Sequence, residues 1–394
     1  MLLIIFHEKD KKVENIGYNL TEDQISLKEQ VKDIVNKFVL PRKEEINKKE
    51  EYPWDLFNIF RDAGLFGISL PSEYGGSERG ALACAIVLEE LAKVCTTSIQ
   101  ICGQPILGSK MIVGAGNHEQ KSKYLPKIAN GEIIPGLAMT EPEAGSDSSS
   151  LRSRAVKKGN EYIINGTKVF ITNADVSHLF TTFAKTDPEK GPKGISAFIV
   201  EKGTPGLSIG KTEEKMGSSV IHTCEVVFED CVVPAENLVG AEGEGFLIAA
   251  KLFGESRYIT AARAIGLAQG VLDSTILFIK KKKINSETVN SRIAEMATKI
   301  EAGRQLLYKA CSEVERGRKD SPIHISMAKY FCSNVSVDVA ITAIDILSKD
   351  GYSQEYPIER MMCDAKITQI AEGTNQIQCA IIAGAISRGE LNLQ

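Results

Sequence analysis

The sequence predicts a multidomain α+β fold: a helical N-terminal domain over 1–133, a middle β-domain built as a barrel or sandwich over 134–242, and a four-helix bundle over 243–394. Three observations carry that expectation. Apolar residues recur at helical spacing up to Gly131, short β-prone runs alternate with turns between Ile134 and Leu238, and the helical texture returns beyond Gly243. At 394 residues the chain is also too long for one core, so two or three domains are expected.

The elements follow in order. Thr21 and Gln24 form a capping-box pattern, and Val31, Ile34, Val35 and Phe38 share one face behind it. Pro41 stops that helix or begins the next turn. Further helices are predicted over 54–61 and 81–93, separated by a turn-like stretch at 71–76 rich in Pro, Ser and Gly. Strands are predicted over 161–164, 168–171, 179–183, 196–200 and 225–228, with Asn165-Gly166 as a hairpin turn. The last third reads as a long segment over 245–283, a helix whose face carries Ile293, Met296, Ile300 and Leu307, and two more over 323–349 and 358–386. Four helices with short connections make a bundle.

Composition excludes several functions. A net charge of −4 with both signs scattered lacks the basic face that a nucleic-acid binder needs. The nine cysteines form no CxxC pair and read as reduced, mostly buried thiols, and the five histidines show no metal-ligand spacing, so no metal is expected. The apolar run at 2–6 is too short for a signal-peptide core. No stretch is expected to span a bilayer, and a cytoplasmic protein is the default.

Several motifs, taken in order, resemble one family. Met139-Thr140-Glu141-Pro142-Glu143-Ala144-Gly145-Ser146-Asp147 resembles the TEPxAGSD signature of the acyl-CoA dehydrogenases, and Phe170-Ile171-Thr172-Asn173-Ala174 resembles their aromatic-IT-N strand. Phe228-Glu229-Asp230 with Val233-Pro234 and Asn237 resembles the turn that closes their β-domain. Asp364-Ala365-Lys366-Ile367 and Glu372-Gly373-Thr374-Asn375-Gln376-Ile377-Gln378 resemble their C-terminal DAKI and EGTxQIQ runs. The resemblance covers nearly the whole chain.

It implies an FAD enzyme that removes two hydrogens across the α and β carbons of an acyl-CoA thioester, or runs the reverse enoyl reduction. Such chemistry needs a base for the α-proton, and a carboxylate in an apolar pocket gains basicity because desolvation disfavours its charge. By resemblance Glu372 is that base. Its backbone N–H would polarise the thioester carbonyl, a donor worth about 3–4 kcal/mol in the transition state. The resemblance also implies that Met139, Thr140, Gly145, Ser146, Phe170, Ile171, Thr172, Thr374 and Gln376 contact the cofactor, with Phe170 on one flavin face and Thr172 donating to flavin N5. Ser146, Arg257 and Gly373 are implied at the substrate. In a related branch the base precedes the Arg on the first bundle helix; that position is Ser256 here, which cannot serve. Electrons would leave through an electron-transfer flavoprotein, and the assembly would be a tetramer. A carrier-protein thioester is an alternative substrate.

The departures lie at positions that serve the adenosine half of a neighbouring subunit's FAD. The family's RxxFG connection is replaced by Lys280-Lys281-Lys282-Lys283-Ile284-Asn285-Ser286, and its QxxGG by Asp345-Ile346-Leu347-Ser348-Lys349. A Lys cannot form the bidentate fork of an Arg, and Asp345 would repel a pyrophosphate. Charge-assisted hydrogen bonds contribute about 1.5–3 kcal/mol each, so losing two weakens FAD binding by about 10²–10⁴. Cys363 replaces the Arg before DAKI, and Ala371 replaces the Tyr before the base, widening the pocket toward a branched or bulky acyl group. Three readings follow: a homotetrameric dehydrogenase with weaker FAD binding, a heteromeric subunit whose partner supplies the adenosine contacts, and a non-catalytic scaffold without flavin.

Overall fold

The computed structural model describes residues 20–46 and 51–391; the apolar run at 2–6 lies outside them. Helix α1 (Glu22–Ile34) begins at the expected capping box. Thr21 Oγ1 accepts from the Gln24 N–H at 3.2 Å, and Gln24 Oε1 accepts from the Thr21 N–H at 3.0 Å. Pro41 does not end the helical path. The chain tightens through a 3₁₀ turn, Leu40–Arg42, where a proline near the start needs no N–H, and enters a short α2 (Lys43–Ile46). Helices α3 (Trp54–Asp62) and α4 (Gly80–Ala92) match the predicted segments. Helices α5 (Thr96–Ala115) and α6 (His118–Ala129) were not separated by the pattern. Each carries an internal proline, Pro105 or Pro126, and α5 is buried nearly all round, so it shows no amphipathic stripe.

The middle region is one eight-stranded sheet: β1 (Pro135–Ala138), β2 (Arg154–Lys158), β3 (Glu161–Thr172), β4 (Leu179–Lys185), β5 (Ile195–Glu201), β6 (Leu207–Thr212), β7 (Thr223–Pro234) and β8 (Leu238–Val239). The order is β6-β7-β3-β2-β4-β5-β8, with β1 parallel to β4. Asn165-Gly166 is not a hairpin turn. Strand β3 runs through it with a register shift against β7, and the turn between β2 and β3 is Gly159-Asn160 instead. Two tertiary contacts explain this. A Cβ at Gly166 would lie 2.1 Å from Ser153 Oγ, and the Asn165 side chain exchanges hydrogen bonds with Asp230 of β7 at 2.8 and 3.1 Å.

The C-terminal third comprises α7 (Gly245–Ser256), α8 (Tyr258–Lys282), α9 (Glu287–Glu315), α10 (Ser321–Leu347), α11 (Ile358–Lys366) and α12 (Asn375–Ser387). Met296, Ile300 and Leu307 are buried on α9, as their spacing predicts. The run predicted over 358–386 is broken between α11 and α12, and Glu372 sits in that break. The helices of the two ends share one apolar core, in which Phe60, Ile86, Leu88, Ile265, Leu307 and Val339 all take part. The sheet has its own core around Tyr162, Phe180, Phe198 and Val226. Contrary to expectation, two segments, Gly245–Lys282 and Ser321–Asp350, are long and apolar enough to cross a membrane. Their most apolar windows are 61% and 50% buried inside the protein, because α8 and α10 form the interior of the bundle.

Candidate active site

Glu372 lies in a turn that the chain adopts only under restraint. Its φ is +54° and that of Gly373 is +90°. A left-handed conformation costs a non-glycine residue about 1–3 kcal/mol and persists where its surroundings over-determine it. Here three donors make four hydrogen bonds to two carbonyls. Arg257 Nε donates to Glu372 O at 3.2 Å, and Gln378 Nε2 reaches Glu372 O at 3.5 Å and Gly373 O at 2.8 Å. Lys329 Nζ, wholly buried on α10, donates to Gly373 O at 2.8 Å and Asn375 Oδ1 at 3.0 Å. A Cβ at Gly373 would come within 2.8 Å of Gln378 Nε2, so the turn needs glycine for both room and φ. Thr374 caps α12, its hydroxyl accepting from the Ile377 N–H.

The Glu372 carboxyl is held asymmetrically. Oε1 accepts from Thr260 Oγ1 of α8 at 2.9 Å, while Oε2 is buried with no partner. Burial pushes its pKa up to about 7, against the lowering influence of the Thr260 hydrogen bond and of Arg257, Lys329 and Arg263. The same burial lowers the Lys329 pKa to about 8, although the Glu372 charge opposes the shift. A carboxyl group titrating near neutrality, with one oxygen sealed and unclaimed, is equipped to accept a proton from a bound molecule.

A second group of predicted residues gathers on the sheet. The Val169 N–H donates to Thr140 O at 2.8 Å, tying the segment after β1 to β3. Beneath it lies a buried ion pair. Lys168 Nζ donates to Glu141 Oε1 at 2.6 Å and to Phe183 O at 2.7 Å, and Glu141 Oε1 also accepts from Ser153 Oγ at 2.6 Å. Burial pushes the Glu141 carboxyl up, but the Lys168 charge together with hydrogen bonds from Lys168, Ser153 and the Arg152 N–H outweighs it and leaves the pKa below the usual range. Above the pair the surface is open. Gly145 and Ser146 are exposed, and a Cβ at Gly145 would meet nothing within 4 Å. Phe170 is 60% exposed with φ +58°, next to a second register shift in β3. Thr172 is partly exposed; the side chains of Met139 and Ile171 turn inward to apolar cores.

Comparison with known proteins shows the family. Three family models match in order: the N-terminal domain of acyl-CoA dehydrogenase over 21–132, the middle domain over 136–231 and the C-terminal domain over 243–387. The chain belongs to the acyl-CoA dehydrogenase family. It is 40% identical to the short-chain specific acyl-CoA dehydrogenase of Clostridium acetobutylicum, over 95% of this chain and 100% of that one. The butyryl-CoA dehydrogenase of Megasphaera elsdenii superposes with a TM-score of 0.89 at 35% identity, covering 94% of this chain and 100% of that one. A structure described as the electron transferring flavoprotein of Acidaminococcus fermentans gives 0.91 at 41% identity, covering 94% and 99%.

An acyl-CoA dehydrogenase is an FAD oxidoreductase acting on CH–CH bonds. The residues present fit that cofactor: an exposed aromatic in strained backbone beside an open loop suits a flat, largely apolar ring. Other expectations change in detail. The Ile171 side chain is core, so only its backbone is available to a cofactor, and Gln376 is exposed at the start of α12. The Arg257 guanidinium, expected at CoA, is buried and donates instead to Glu372 O and to Ser326 Oγ at 3.3 Å. It holds the Glu372 turn. At the departures from the family pattern, Lys282 pairs with Asp350 at 3.2 Å and Asp345 with Arg292 at 3.6 Å. Sequence reasoning missed Thr260, Lys329, Gln378 and Lys168. Thr260 follows Arg257 at a spacing of three on α8, a signal that was available; Lys329 and Lys168 lie far in sequence from the groups they serve.

Proposed function

We propose that this chain dehydrogenates an acyl-CoA thioester across its α and β carbons, with Glu372 taking the α-proton. The observation that carries the reading is the Glu372 carboxyl itself: a sealed, unpartnered Oε2, an Oε1 fixed by Thr260, and a pKa raised to about 7. Met139, Thr140, Gly145, Ser146, Phe170 and Thr172 would hold FAD, which would supply the hydride acceptor. Thr260 and the clamped turn orient the carboxyl. Arg257 and Lys329 place positive charge beside the point where the thioester becomes enolate-like, favouring the negative charge that develops there. The Glu372 N–H donates to no backbone carbonyl among the described residues, which suits a role on the thioester carbonyl. Enoyl reduction would use the same groups in reverse.

The likeness to the Acidaminococcus structure supports an electron-transferring flavoprotein as the redox partner. Exposed Tyr330 and Ile341 on α10 and Ile386 on α12 support assembly through the bundle. The heteromeric reading has its own observation: Lys282 and Asp345, where the family contacts a neighbour's FAD, are engaged with Asp350 and Arg292.

The test is oxidation of a panel of acyl-CoAs with an artificial electron acceptor. Glu372→Gln, isosteric but unable to take the proton, is expected to lower kcat about 10²–10⁴-fold while the flavin stays bound. Activity within about threefold of the unsubstituted chain would remove Glu372 as the base.

A further inference from the structure

One charged side chain near Glu372 has no assigned task. Arg263 stands three residues after Thr260 on α8, on the same helical face. Thr260 touches the Glu372 carboxyl, and Arg263 lies about one turn further along α8. Its Nη2 donates to Ser218 Oγ, in the loop between β6 and β7, at 2.8 Å. Its Nε is buried with no partner. Of the nearby carboxylates, Asp364 has both oxygens engaged elsewhere and Glu372 keeps only Oε2 unpartnered. Asp364 gives Oδ2 to Thr96 Oγ1 at 2.6 Å and Oδ1 to the Ser218 N–H at 2.6 Å, and Glu372 gives Oε1 to Thr260. Among the described residues no acidic group forms an ion pair with Arg263.

The local charge is therefore unbalanced. Arg257, Arg263 and Lys329 face only Glu372 and Asp364, and Arg257 and Lys329 are bound to the backbone of the Glu372 turn. Burial works against the Arg263 charge, opposed only by Asp364 and Glu372. A partly buried guanidinium with an idle donor lowers its free energy by receiving an oxygen anion, ideally a carboxylate matched to its planar fork. Ala371, beside Glu372, contributes only a methyl group.

We propose that the acyl group this chain prefers carries a carboxylate at the end remote from the thioester, and that Arg263 receives it. The inference rests on the proposed dehydrogenase reading and names its substrate class: a short ω-carboxyacyl thioester. The α-proton would still go to Glu372. Arg263 acts in recognition alone.

The test is calorimetric titration of the flavin-loaded full chain carrying Glu372→Gln, so that ligand is not consumed, with glutaryl-CoA and with butyryl-CoA. Glutaryl-CoA is expected to bind at least as tightly as butyryl-CoA. Arg263→Gln, which keeps a donor for Ser218 but loses the charge, should shift the ratio of the two Kd values against glutaryl-CoA by about tenfold or more, as expected for a charge-assisted bond. Arg263→Leu should do the same, and thermal unfolding of each variant reports whether it folds. A Kd ratio that moves less than about twofold in the folded Arg263→Gln variant would overturn the proposal, because a strut to Ser218 has no reason to distinguish the two ligands. If butyryl-CoA binds and glutaryl-CoA does not, this inference fails and the dehydrogenase reading stands. If neither binds, both fail.

Discussion

The turn around Glu372 and the segment from Met139 to Ser146 are both anchored by a buried lysine, but to opposite effect. Lys329 holds the backbone of its turn by Gly373 O, and one oxygen of the Glu372 carboxyl is buried there. Lys168, paired with Glu141, supports its segment from below and leaves Gly145, Ser146 and Phe170 exposed above. One region removes a group from water and so changes its chemistry. The other fixes a surface and keeps it accessible. A base needs the first treatment, because desolvation raises its proton affinity; a wall for a planar ring needs the second.

Three substitutions sharpen or break that contrast. The largest effect is expected from Lys168→Met. It leaves the Glu141 carboxylate buried and unpaired, which should cost about 3–5 kcal/mol in urea unfolding. Stability equal to that of the unsubstituted chain would show that the pair does not support the 139–146 segment. Next comes a pH effect at the other anchor. The Glu372 pKa rises from its ordinary 4.5 to about 7 on folding, so the folded state holds the proton more tightly than the unfolded chain. The stabilisation tied to that proton is complete below about pH 4.5 and lost as pH rises through about 7. Glu372→Gln does not titrate, so between pH 4.5 and 8 it should gain about 3 kcal/mol over the unsubstituted chain. Parallel stability profiles would mean that the carboxyl is not desolvated. The smallest effect is expected from Thr260→Val. Removing a donor that favours the carboxylate should move the acidic limb of kcat/KM to higher pH by up to about one unit. An unmoved limb would separate Thr260 from the titrating group.

Much of this was legible in the residues. The capping box at Thr21 and Gln24 is local chemistry and formed as expected. Family resemblance singled out Glu372 in the Glu372-Gly373-Thr374 string as the candidate base, and the string also serves local needs, with a glycine at φ +90° and a helix cap at Thr374. Other features were misread because their cause lies elsewhere in the chain. Asn165-Gly166 has the composition of a turn, yet contact with Ser153 and Asp230 keeps it in a strand. The pattern over 358–386 reads as one helix, and nothing local marks the break. It is held open by Arg257 and Lys329, 115 and 44 residues away from the carbonyls they bind.

The sequence alone determined the succession of helical, β and helical regions, the helix starts and the identity of the candidate base, since each depends on neighbours within a few positions. Only the tertiary structure decided what the charged residues do. Arg257, expected at the substrate, holds the Glu372 turn, while Arg263, unremarkable in the sequence, keeps a buried Nε without a partner. The physical reason is that a charge acquires its role from how much water surrounds it and which partners reach it, and both are set by segments that meet only when the chain has folded.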